Sequence, residues 1–120
     1  MPNFLRFMIY LPKTKKWDAF LDLTLKNITQ KGIYDPLDGG FFRYCIDEKW
    51  NIPHFEKMLY DNAQLISVLS NFDLINKERK YILIVDQTIH FWLSIKSKNA
   101  FFPSSIDADN EDGELSLIHI

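Results

Sequence analysis

The run from His54 to Asn62, His-Phe-Glu-Lys-Met-Leu-Tyr-Asp-Asn, crowds an imidazole, two carboxylates, an ammonium and a phenol into two helical turns. On an α-helix, residues 54, 57, 58, 61 and 65 share a face. That spacing aligns His54, Lys57 and Asp61 beside Met58 and Leu65, while Glu56 and Tyr60 pair on an adjoining face. Crowding of this kind is how carboxylates and histidines acquire the shifted pKa values that acid–base catalysis needs. The same spacing also describes an ordinary solvated helix start. Lys57 and Asp61 are an opposite-charge i, i+4 pair, worth about 0.2–0.5 kcal/mol, and His54 could simply bond a loop carbonyl. Spacing alone favours this plainer reading.

Upstream, Asp35-Pro36-Leu37-Asp38 leads into Gly39-Gly40. A glycine pair there implies a turn with positive φ or a close backbone approach. It is not a dinucleotide fingerprint, because the G-x-G-x-x-G spacing is absent. Tyr44 and Trp50 offer rings to a ligand. Arg43 and Asp47 could clamp an anionic or hydroxylated ligand, or tie the loop to itself, and the tie is the simpler reading. Cys45, the single cysteine, reads as a small buried hydrophobe. Further on, Asp107, Asp109, Glu111, Asp112 and Glu114 form an acidic block. An EF-hand is excluded, since the glycine falls one place late and the closing position, Ile118, has no carboxylate.

These residues must be positioned by helices. Trp17, Phe20, Leu21, Leu25 and Ile28 recur at helical spacing, predicting a helix over about 15–31 with Gly32 as its C-cap glycine. Pro53 suits the start of a second helix, from about His54 to Phe72. Asn76 is a candidate N-cap for a third, running to about Ser97 with Tyr81, Val85, Ile89 and Trp92 as its apolar stripe. Between the first two lies a loop of about twenty residues, longer than compact domains usually tolerate without a function. Within it, Phe41 to Ile46 could pair as a short strand. Another irregular segment, residues 99–114, follows the third helix. Short connections alternating with long ones suit stacked helical hairpins, whose long loops can build a site.

The chain has 120 residues, 47% apolar and 25% charged, which is the balance of an ordinary globular domain. With 14 basic against 16 acidic residues and no basic stripe, nucleic acid is not an expected partner. Arg6, Pro12 and Lys13 interrupt the apolar N-terminal run, so no membrane span is expected, and the run lacks a basic leader and a small-residue cleavage site, so no signal peptide is expected. One cysteine leaves no internal disulfide and no zinc spacing, so no metal or cofactor is expected, and a cytoplasmic location fits.

Taken together, Gly32-Ile-Tyr-Asp-Pro-Leu-Asp-Gly-Gly-Phe-Phe-Arg-Tyr-Cys-Ile-Asp-Glu-Lys-Trp50 and Pro53-His-Phe-Glu-Lys-Met-Leu-Tyr-Asp-Asn-Ala63 resemble the signature of the YyaL-type thioredoxin-domain-containing proteins, which include spermatogenesis-associated relatives. Ser105-Ile-Asp-Ala-Asp109 resembles that family's second acidic motif. The resemblance covers about residues 1–114. It implies an all-α fold: helical hairpins forming part of an (α/α)6 toroid similar to six-hairpin glycosidases, with long loops and a short strand pair. The thioredoxin-like domain of the family, with its Trp-Cys-His motif, has no counterpart here, and Cys45 does not replace it. Residues 115–120 depart from the family pattern and read as a truncated or out-of-frame tail.

The resemblance further implies a site for a carbohydrate-like small molecule. Glu56 or Asp61 would act as acid/base with help from His54. Arg43, Tyr44, Asp47, Trp50, Lys57, Tyr60, Asn62, Asp107 and Asp109 would bind substrate. The alternative is a non-catalytic, partner-binding region of a thioredoxin-linked redox or chaperone-like protein. In either case the missing parts of the full-length chain are themselves partners.

Overall fold

Helix α1, Lys15–Gln30, forms where the apolar spacing predicts it. This is seen in a computed structural model of the chain, which describes residues 5, 7, 9, 15–99, 101–107 and 116–119. Leu21, Leu25 and Ile28, at i, i+4 and i+7, are buried, whereas Trp17 and Phe20 of the expected stripe stay exposed. Gly32 lies just past the helix but does not take the positive φ of a left-handed cap. Its N–H donates to Trp50 O at 2.7 Å. A Cβ there would sit 2.9 Å from the carbonyl oxygens of Trp50 and Asn51. Glycine is required because another stretch of backbone docks on it.

Helix α2, Leu59–Asn76, starts later than the sequence predicts. Residues 53–58 are extended: β1, Tyr44–Cys45, pairs antiparallel with β2, Pro53–His54. Next, β3, Lys57–Met58, pairs antiparallel with β4, Pro103–Asp107. His54, Glu56 and Lys57 therefore precede the helix, and the shared helical face drawn through 54, 57 and 61 does not exist. The backbone groups of 53–58 find partners in other strands, which outweighs the helical propensity of the run. The segment after residue 99, expected to be irregular, contains β4. It also pairs antiparallel with β5, Ser116–His119, completing a sheet of order β3-β4-β5. The protein is thus mostly helical, as expected, with small antiparallel strand pairings.

Helix α3, Ile82–Asn99, also starts later than expected. Asn76 is not its N-cap but the last residue of α2. Lys77 ends α2 in the left-handed region, φ 53°, with its N–H reaching Asp73 O and Leu74 O. Asp73 anchors the residues that lead into α3 instead. Its carboxylate accepts from the N–H groups of Lys80 at 3.1 Å and Tyr81 at 2.9 Å. Thr88 and Trp92 on α3 are buried, together with Tyr81 just before it, while Ile89 is exposed. Thr88 is tolerated inside because its hydroxyl donates to Ile84 O at 2.7 Å. Helices α2 and α3 pack on each other across the short turn 77–81. Their core joins α1 through Leu25, Ile28, Leu65, Leu69 and Phe72. Among the described residues no helix is long and apolar enough to cross a membrane.

Candidate functional site

The long connection between α1 and α2 is held in place from beneath by a buried ion pair. Asp35 opens a turn in which its Oδ1 accepts from the N–H of Leu37 at 2.9 Å and of Asp38 at 3.3 Å. Its Oδ2 accepts from Lys57 Nζ at 2.8 Å, and the same ammonium donates to Gly39 O at 2.8 Å. Lys57 has no exposed surface. Its charge lies 3.9 Å from the ring centroid of Phe91 and 5.0 Å from that of Phe42, so aromatic faces complete its shell. Burial alone would raise the Asp35 carboxyl. The Lys57 ammonium and the two N–H groups outweigh it and hold the carboxyl below its ordinary value. Burial pushes the Lys57 ammonium down, against the pull of Asp35.

Gly39 and Gly40 both take positive φ, 86° and 87°. A Cβ on Gly39 would lie 2.6 Å from Gln87 O on α3, so this turn fits only glycine. Asn62, fully buried, then latches the next residue. Its Oδ1 accepts from Phe41 N–H at 2.7 Å, and its Nδ2 donates to Phe41 O at 3.0 Å and Met58 O at 2.8 Å. All four groups pair as two peptides would. The consequence is positional: Phe42 and Arg43 are delivered to the other side of the loop.

There, a cleft of about 390 Å³ is lined by Arg43, Tyr44, Trp50, Tyr60 and Asp61, with Phe42, Cys45 and Leu65 among its walls. Asp61 sits in the first turn of α2. Burial pushes its carboxyl above the usual value, and the Arg43 charge pulls it partly back. Arg43 Nη1 donates to Glu56 Oε2 at 3.3 Å. His54 Nδ1 lies 3.7 Å from that same oxygen, and its ring stacks on Tyr44 with centroids 5.0 Å apart. Asp47 closes the loop on itself by accepting from the N–H of Asn51 and Ile52. Trp50 is held at φ 59°, an uncommon conformation for a non-glycine residue, on the cleft wall.

The candidate residues therefore separate into groups. Arg43, Tyr44, Trp50, Tyr60 and Asp61 converge on the cleft. Glu56 and His54 contact Arg43 and Tyr44. Asp47 shapes the turn. Lys57 and Asn62 are buried in the scaffold, and Lys57 pairs with Asp35 instead of the expected Asp61. Asp107 lies in β4, paired with Ser116. Asp109 lies outside the described residues. Cys45 is half-buried at the cleft, not a core residue. Burial first, then the Asp47 charge, pushes its thiol up. Sequence reasoning missed Phe42, Cys45 and Leu65 as lining residues, and Asp35 as the partner of Lys57. A signal existed only for Asp35, since Asp-Pro-Leu-Asp is a side-chain-capped turn.

No family model matches the chain. It is similar to an uncharacterized protein of Caenorhabditis elegans, 36% identical over 101 residues, which is 82% of this chain and 14% of the worm protein. It is also similar to a second group of proteins, from Mus musculus and Homo sapiens. These are 38% and 36% identical over 88 residues, in both cases 72% of this chain and 11% of the relative. The chain thus spans only a small part of the length of the curated relatives it matches. The mouse and human proteins are both spermatogenesis-associated protein 20.

Proposed function

The chain is homologous to spermatogenesis-associated protein 20 over about 72% of its length, and on that premise we propose that it is one stretch of an (α/α)6 toroid whose cleft binds a carbohydrate-like small molecule. The observation that carries this reading is the convergence of Arg43, Tyr44, Trp50, Tyr60 and Asp61 on one cavity of about 390 Å³. Small-molecule sites run from about 300 to 1,000 Å³ and combine apolar walls with a few placed polar groups. Aromatic faces suit the C–H face of a sugar ring. Arg43 and Asp61 supply a donor and an acceptor for its hydroxyls.

Asp61, with its carboxyl raised by burial, is better suited than an ordinary aspartate to hold a proton and release it to a leaving group. Glycoside hydrolysis needs a second carboxylate, about 5–9.5 Å away. On this reading it comes from Glu56 once Arg43 moves aside, or from the 107–109 motif, with His54 assisting. The protein acts in the cytoplasm without a cofactor, and any thioredoxin-like domain lies elsewhere in the longer chain.

The reading is tested by titrating the purified chain with a panel of monosaccharides while following tryptophan emission. Binding in the cleft is expected to alter the emission in the millimolar range, and Trp50→Phe is expected to remove the change. A flat response across the panel would end the proposal. One observation favours a second reading, a partner-binding surface of a thioredoxin-linked redox or chaperone-like protein. Ile46, Ile52 and Phe55 are exposed on the loop that carries β1 and β2, and Asp61 is the one carboxylate lining the described cleft. This reading expects Asp61→Asn to leave the activity of the longer protein unchanged.

A further inference from the structure

Arg43 carries five N–H donors in a rigid fork. Among the described residues one of them, on Nη1, has a protein acceptor: Glu56 Oε2 at 3.3 Å. That is long for a charge-assisted bond, which typically measures about 2.7–2.9 Å. The side chain is 46% exposed, yet its base is fixed, because Arg43 N–H donates to Glu56 O at 2.8 Å. Arg43 is therefore a guanidinium delivered to the cleft wall by a pinned backbone with most of its donors unspent. A neutral hydroxyl engages only part of such a fork. Planar, bidentate recognition of a carboxylate or phosphate uses it more fully.

The rest of the wall is compatible with an anion. The ionisable groups lining the cleft are Arg43, Tyr44, Cys45, Tyr60 and Asp61. Burial keeps the Cys45 thiol protonated. Asp61, the one lining carboxylate, is raised by burial toward its neutral form, which lessens its repulsion of a bound anion. Glu56, outside the lining, is held by Arg43 and lies beside His54, so it can lose its Arg43 bond and keep a neighbour.

We infer that the cleft selects an anionic sugar, a polyhydroxylated ring bearing a carboxylate or a phosphate, with the Arg43 guanidinium as the receptor for the anion. This rests on the carbohydrate reading above and specifies its substrate class. The carboxylate and phosphate forms share the chemistry that Arg43 recognises, and a matched series separates them.

The experiment titrates the full chain with glucose, glucuronate and glucose 6-phosphate at fixed ionic strength, following tryptophan emission. One of the two anions is expected to bind about tenfold or more tighter than glucose, the scale of one charge-assisted hydrogen bond. Whichever anion is preferred identifies the anionic group. Arg43→Met should abolish the preference, bringing both anions down to the level of glucose, while Arg43→Lys should restore part of it. Glu56→Gln, which releases Arg43 from its protein partner, should strengthen the preference. A damaged scaffold would instead weaken all three ligands together. Equal binding of glucose and both anions, or a preference that survives Arg43→Met, overturns this inference but leaves the carbohydrate reading standing. No binding of any of the three overturns both.

Discussion

At the scale of the residue, the most consequential side chain is Lys57, which the spacing assigned to a solvated pair and the fold buries completely. It neutralises Asp35, anchors Gly39 and fills the space between two rings, so the loop's geometry depends on it. Lys57→Met would leave the Asp35 charge buried without its partner, and breaking such a pair typically costs about 3–5 kcal/mol. Urea denaturation at neutral pH checks this. The double variant Lys57→Met with Asp35→Asn should lose less than the two single losses combined, because it leaves no orphan charge. The folded Asp35 carboxyl lies below its unfolded value. Its contribution is therefore complete above the unfolded value and is lost as pH falls through the folded one. Asp61 has the opposite sign. Its folded value is raised, so ionised Asp61 weakens the fold as pH rises above its unfolded value. Asp61→Asn is expected to raise the thermal midpoint at neutral pH, with the gain disappearing below the ordinary aspartate range. A neutral-pH midpoint unchanged or lowered by the substitution would contradict this account of the site.

At the scale of the element, the helices begin where tertiary hydrogen bonds permit. Helix α2 follows directly from β3, with Met58 extended and no side-chain cap. The approach to α3 is instead held by Asp73, from the last turn of α2, which accepts from the N–H groups of Lys80 and Tyr81, so one helix sets the position of the other. Asp73→Ala should cost about 1–2 kcal/mol, comparable to a lost cap, and should speed amide exchange at the start of α3 before it affects α1. Uniform acceleration across the three helices would show that Asp73 stabilises the whole core. Because α3 presents Gln87 to the Gly39 turn, and Tyr34 Oη donates to the Gln87 side chain, its placement also affects the cleft's scaffold.

At the scale of the molecule, apolar side chains remain uncovered on two helices. Trp17, Phe20 and Leu23 on α1, and Ile82, Leu83 and Leu93 on α3, are all substantially exposed. Where such side chains join into one apolar face, that face marks a surface that packs against something. This fits a chain that spans about 11–14% of its relatives' length. The isolated chain is expected to self-associate and to bind an apolar dye, and sedimentation over a tenfold concentration range would reveal it. A strictly monomeric chain with one sharp thermal transition would show that these faces need no neighbour.

The sequence by itself determined the three helices, some of their buried positions such as Leu21, Leu25, Ile28 and Trp92, and the family resemblance. Those features rest on local periodicity and on a motif read in order along the chain. It did not determine which motif residues meet. Helical spacing aligned His54, Lys57 and Asp61, but strand pairing pulled His54 and Lys57 out of the helix. Lys57 then turned inward to Asp35, 22 residues away in the chain, and His54 turned to Tyr44. Asp61 joined Arg43, Tyr44, Trp50 and Tyr60 at the cleft. Only tertiary structure could make that division, because β3 pairs with β4, far along the chain, while β2 pairs with the nearby β1. The sequence from Gly39 to Asn62 gathers ionisable and aromatic side chains, and the fold decides which of them are buried in the scaffold and which line the cleft.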